Sequence, residues 1–162
     1  MTIIICFTII LLFILSSISI EDKNTMLISE SKLISLMISG LLYLLYLGLS
    51  SERIDIKDLI INNSLSMVII FTVMYSISYL SFKLFGINSL GMGDIKLSSI
   101  STIWLGIELS FLSLCISFFL SAIYSLYGKL TKRFLPFQQY PFAPFLSMGI
   151  FCSWIIDKIQ TF

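Results

Sequence analysis

Residues 3–20 read IIICFTIILLFILSSISI, eighteen positions without a charge. At 1.5 Å rise per residue this run makes a helix of about 27 Å, close to the roughly 30 Å hydrocarbon thickness of a bilayer. No basic region precedes it and no clear small-x-small cleavage site follows. It therefore reads as a retained membrane helix rather than a removable signal. Five more apolar stretches follow, at 33–50, 64–85, 95–107, 109–127 and 143–156. The breaks between the six are EDKNTMLISESK, SERIDIKDLIINN, the GINSLGMGD stretch, a short break at Glu108, and GKLTKRFLPFQQYPF. With 57% apolar and 12% charged residues and a mean hydropathy of +1.02, a water-soluble domain of this length would have nowhere to hide its hydrocarbon. The expectation is an all-α polytopic integral membrane protein: six transmembrane helices forming one domain over 1–162.

Charge sets the expected orientation. The loop at 128–142 carries Lys129, Lys132 and Arg133, which places it in the cytoplasm. Counting crossings from there puts Lys23, Lys32, Lys83 and Lys96 on the same side, and only Arg53, Lys57 and Lys158 on the other. The N-terminus is then outside. A net charge of +1 gives no basic field for nucleic acid, so the expected surroundings are lipid and peptide.

Several chemistries are excluded by residue type. Histidine is absent, which removes the usual imidazole base and the commonest metal ligand. Cys6, Cys115 and Cys152 lie far apart in apolar stretches with no CxxC, so they read as packing residues rather than a zinc module. No metal and no cofactor are expected. What remains is acidic. Asp94 follows Gly91-Met92-Gly93 at the mouth of an apolar helix, where an ionisable side chain beside hydrocarbon is read first as functional. The glycines leave the backbone bare, so that another chain can approach.

Hydrolysis of a peptide by water without metal, histidine or serine triad calls for a second carboxylate, one acid taking a proton as the other gives one. The candidates are Asp22, Asp55, Asp58 and Asp157. Asp157 ends the last helix on the outer side, and Asp55 and Asp58 fall in the outward loop. Asp22 directly follows the first helix and faces the same side as Asp94, so topology selects Asp22. The competing reading pairs Asp94 with Asp55.

The residues GMGDIKL around Asp94, with YSISYLSFKLFGINSL before them, resemble the type IV prepilin peptidase family, membrane aspartic proteases of the GxGD kind. In that family the first aspartate opens a pattern close to D-x-x-x-x-x-I/L-P-D. Here it reads Asp22-Lys23-Asn24-Thr25-Met26-Leu27-Ile28-Ser29-Glu30, with Ser29 in the proline place. A second run, DIKDLIINN from Asp55, fits locally with Asn62 in that place. Pro141-Phe142-Ala143-Pro144-Phe145-Leu146 is similar to the PFGPFL run that opens the family's last helix. The resemblance implies a catalytic pair, Asp22 and Asp94, sharing a proton. Gly91, Gly93, Pro141 and Pro144 are then expected beside the substrate. It also implies cleavage of a short basic leader from type IV prepilins or pilin-like secretion proteins, at the cytoplasmic face of a bacterial inner membrane.

The soluble cysteine-bearing segment of longer relatives is not seen in this sequence. Nor is a Gly-rich nucleotide loop, so methylation of the new N-terminus is not expected. Lys96 is expected to snorkel to lipid headgroups, and Glu30 reads either as a leader contact or as a solvated acid. The alternative from another class is a non-catalytic membrane subunit or small transporter that uses Asp94 as a proton or ion relay.

Overall fold

The computed structural model describes residues 2–50, 56–86, 90–131 and 140–161, all helical apart from short connections. The helices are α1 (Thr2–Thr25), α2 (Glu30–Ser50), α3 (Ile56–Phe85), α4 (Met92–Leu130) and α5 (Ala143–Thr161). Among the described residues, α1 to α4 are long and apolar enough to cross a membrane. Large apolar side chains such as Ile9, Phe13, Leu42, Val68 and Phe119 point outward, as lipid-facing surfaces require. The three cysteines are also exposed, and unpaired by disulfides.

The expected stretches 95–107 and 109–127 both lie in α4, and the break falls at Gly106 rather than Glu108. Gly106 takes φ 72° and ψ −177°, a conformation essentially reserved for glycine. The contacts on either side show what this residue does. In limb 92–105, Gly93 lies against Ile28 near the start of α2, and Trp104 bonds to the Leu36 carbonyl further along it. In limb 107–130, Ser113 and Ser117 lie against Gly149, and Ser121 meets Tyr140 just before α5. The second limb thus runs back along the first, and α4 is a helical hairpin that reverses at a single residue. Glu108 follows the turn; its charge marks the neighbourhood but does not make it.

Two further boundaries differ from expectation. α3 begins at Ile56 instead of 64, because the polar DLIINN run continues the helix and brings the Asn63 side chain alongside Gly106. α5 continues past 156 to Thr161. The helices pack through small residues. Trp104 and Ile103 fill the space over Gly40, and the Ser113 backbone and Ser117 hydroxyl lie over Gly149. With no water to drive association in lipid, such close backbone approach carries much of the packing. Buried serines along α4 return their hydroxyls to carbonyls one turn back, as Ser99 does to Ile95 and Ser117 to Ser113. This satisfies the polar atom inside the bundle.

Candidate active site

α1 ends at Thr25, a little over one turn beyond its uncharged run. The Met26 N–H donates to the Asp22 carbonyl at 2.8 Å, and Met26 takes φ 54°, the left-handed cap that commonly closes a helix. Asp22 therefore lies in the last turn of α1, where a negative charge opposes the helix dipole. The start of α5 offsets this. Phe142 accepts the first helical bonds, from Phe145 and Leu146, leaving the Ala143 N–H to point outward. That N–H donates to Asp22 Oδ2 at 3.0 Å. Pro144 carries no amide hydrogen, and Pro141 lies in the approach to α5. Of the two amides between Pro141 and Pro144, that of Ala143 goes to the Asp22 carboxylate. Only 5% of Asp22 is exposed.

Asp94 enters from the mouth of α4. Gly91 caps the helix in an extended conformation with no side-chain cap, and its carbonyl accepts from the N–H groups of Asp94 at 3.1 Å and Ile95 at 3.2 Å. The carboxylate folds back over Gly91, whose backbone contacts it electrostatically. A Cβ on Gly91 would lie 3.3 Å from Asp94 Oδ2. A first-turn acid of this kind is favoured by the helix dipole. Asp94 is 8% exposed, and its Oδ1 has no hydrogen-bond partner among the described residues. Leaving a buried polar oxygen unpaired costs about 1–3 kcal/mol, which makes such an atom a marker for function.

The two acids meet. Asp22 acts electrostatically on Asp94, although they come from helices at distant points of the chain. The candidates set aside lie elsewhere. Asp157 pairs with Lys158 near the end of α5, at the level of Tyr43 and Trp154. Asp58 is in the first turn of α3, the end that approaches Gly106. Asp55, Arg53, Lys132, Arg133 and Pro136 lie outside the described residues. Among the described residues, no three His, Cys, Asp or Glu side chains gather in a way that would hold a metal ion.

The two glycines of the motif differ. Gly91 is exposed, with only the Asp94 carboxylate close to its missing side chain. Gly93 is covered, since a Cβ there would meet Ile28 at 3.1–3.2 Å. Lys96 does not stretch away to headgroups; it forms an ion pair with Glu30 at 2.7 Å, tying the mouth of α4 to the start of α2. Residue types alone did not reveal the Ala143 donor, the Ile28 contact, or a cluster beside Asp22 in which Glu21 binds Ser29 and Lys32. The first had a partial signal: the amide of the first helical residue is free of an intrahelical partner, and Pro144 after it has none to offer.

The sequence profile of the type IV leader peptidase family matches residues 9–126. This span holds both aspartates, the Gly91–Asp94 motif and most of both limbs of α4. No curated protein and no solved structure matches the chain at a significant level.

Proposed function

The chain belongs to the type IV leader peptidase family, and from that premise we propose that it is a membrane aspartic endopeptidase with Asp22 and Asp94 as its catalytic pair. The observation that carries the reading is that two largely buried carboxylates lie within electrostatic reach of each other, one bonded to a backbone amide and the other with an oxygen unpaired. Two such charges side by side are costly in a site with little water, and one shared proton relieves the cost. The ionised member then takes a proton from water as the water attacks the scissile carbonyl. The protonated member donates to the carbonyl oxygen, and reversal of these roles releases the amine. The Ala143 amide holds one Asp22 oxygen in place, leaving the other for this exchange. The open face of Gly91 and the prolines at 141 and 144 border the pair on two sides and would receive an extended substrate backbone, with Gly93 keeping α4 close beneath it.

The substrates proposed are type IV prepilins or pilin-like secretion proteins, cut where a short basic leader meets a hydrophobic helix. The chain would cross the bacterial inner membrane six times, the two limbs of α4 counting separately. Its N-terminus would be outside and the Asp22–Asp94 end at the cytoplasmic face. The bias of lysines toward the connections on that side supports this orientation.

Co-expression with a model prepilin tests the reading, with leader removal followed by gel shift. Asp22→Asn and Asp94→Asn should each lower cleavage by roughly 10²-fold or more, and Asp94→Glu should fail as well because its longer stem misplaces the carboxyl. Asp55→Asn should cleave normally. Loss of processing on changing Asp55 but not Asp22 would overturn the pairing, and an intact prepilin with the wild-type enzyme would overturn the activity.

A further inference from the structure

Glu21 sits beside Asp22, yet its carboxylate turns away from the pair toward the link between α1 and α2. Its Oε2 accepts from the Ser29 amide at 3.2 Å and from the Ser29 hydroxyl at 2.9 Å. Lys32 Nζ approaches the same oxygen at 3.3 Å and donates to the Ser17 carbonyl at 2.8 Å. One acid thus closes residues 26–29 against the end of α1. The closure holds a backbone that does not favour itself, because Met26 is a non-glycine residue at φ 54°, a conformation costing roughly 1–2 kcal/mol. The next link is Ile28, whose side chain lies over Gly93 so closely that a methyl group there would require it to give way by a few tenths of an ångström. Gly93 immediately precedes Asp94. Chain and contacts therefore run from Glu21 through Ser29 and Ile28 to Gly93, and they connect the backbone bearing one aspartate to the backbone bearing the other.

We infer that Glu21 is a positioning residue of the aspartate pair: its grip on Ser29 seats Ile28 on Gly93 and so sets where Asp94 stands relative to Asp22. The inference rests on the catalytic reading given above. Glu21 touches neither reacting group, and its two bonds to Ser29 need an acceptor; only the part-exposed Lys32 contact also uses the charge, and such a pair contributes little. Glutamine supplies the acceptor and alanine does not. A structural brace alone would affect folding, whereas a positioning role affects turnover at unchanged substrate affinity.

The test uses the full-length protein in membranes or detergent, with two readouts. Against a model prepilin, Glu21→Ala should lower kcat by about tenfold with KM within twofold, and Glu21→Gln should keep at least half of the wild-type kcat. In an Ile28→Ala background, Glu21→Ala should add less than a twofold loss, because the contact that relays the grip is already gone. By hydrogen–deuterium exchange, Glu21→Ala should speed exchange of the amides at 91–96 as well as 26–29, and Glu21→Gln should not. A loss confined to KM, full additivity with Ile28→Ala, or unchanged exchange at 91–96 would each overturn the proposal. Exchange does not depend on cleavage. If the wild-type protein leaves prepilin uncut, the catalytic reading fails by itself, and the link from Glu21 to the Asp94 backbone is still decided.

Discussion

The two ends of the bundle handle polar groups in opposite ways. At one end, Trp104 and Trp154 meet edge to face, Tyr43 stacks on Trp104, and Phe7 closes the group. Lys158 lies over the Tyr43 and Trp154 rings while bonding to the Tyr43 hydroxyl and Asp157. Trp154 Nε1 donates to Thr8, and Trp104 Nε1 to the Leu36 carbonyl. Each of these buried donors has an acceptor, and the aromatic faces lock the helices together. At the other end, two acids lie within electrostatic reach of each other, Asp22 bonded to the Ala143 amide and Asp94 folded over the Gly91 backbone, and an Asp94 oxygen is left unpaired. Ser153 Oγ, beside Trp154, is likewise buried without a partner among the described residues, so what sets Asp94 apart is that its unpaired atom belongs to a carboxylate within electrostatic reach of a second acid.

The asparagine changes at 22 and 94 sit at the top of the scale of expected effects, since they would remove the proposed chemistry without touching the anchor. Next in size is a change to the anchor alone. Trp154→Ala should destabilise the protein by on the order of 3 kcal/mol, read as a lower thermal unfolding midpoint in detergent. The fraction still folded should cleave at near wild-type kcat. If kcat falls with the midpoint unchanged, the two ends are not separable in this way.

A smaller effect is expected at the boundary between them. Gly93→Ala inserts a methyl group against Ile28, and overpacking of this kind costs typically about 1–3 kcal/mol. The loss should appear in cleavage, and pairing the change with Ile28→Ala should recover part of it. The smallest effect is expected at the surface. The Lys96–Glu30 pair is substantially exposed on both sides, so Lys96→Gln should cost only about 0.2–1 kcal/mol in stability. A large loss there would show that Lys96 meets substrate rather than simply bracing α2 against α4.

Much of the architecture was legible because hydrocarbon has to announce itself. Each of the six apolar stretches lies on a helix, and runs of uncharged residues bounded by charges could hardly fold otherwise in lipid. The juxtaposition of Asp22 with Asp94 was reachable too, since alternating crossings put both on one side. Turn details were not. The charge at Glu108 drew the expected break two residues past Gly106, because a charge is easier to see in a sequence than a glycine at positive φ. Lys96 was expected to reach for lipid, and the acid that holds it instead comes from another helix. The Glu21–Ser29 and Ile28–Gly93 contacts were invisible for the same reason: neither residue type nor spacing tells which neighbour a loop will be folded onto.

The hairpin in α4 has a mechanical corollary. Because its reversal takes one residue, limb 92–105 has no slack with which to slide along its own axis. Any pull on the limb carrying Asp94 is passed around Gly106 to limb 107–130, and from there to Tyr140 and the approach to α5, whose first amide grips Asp22. α1, both limbs of α4 and α5 thus form a closed loop of contacts that starts at one aspartate and returns to the other.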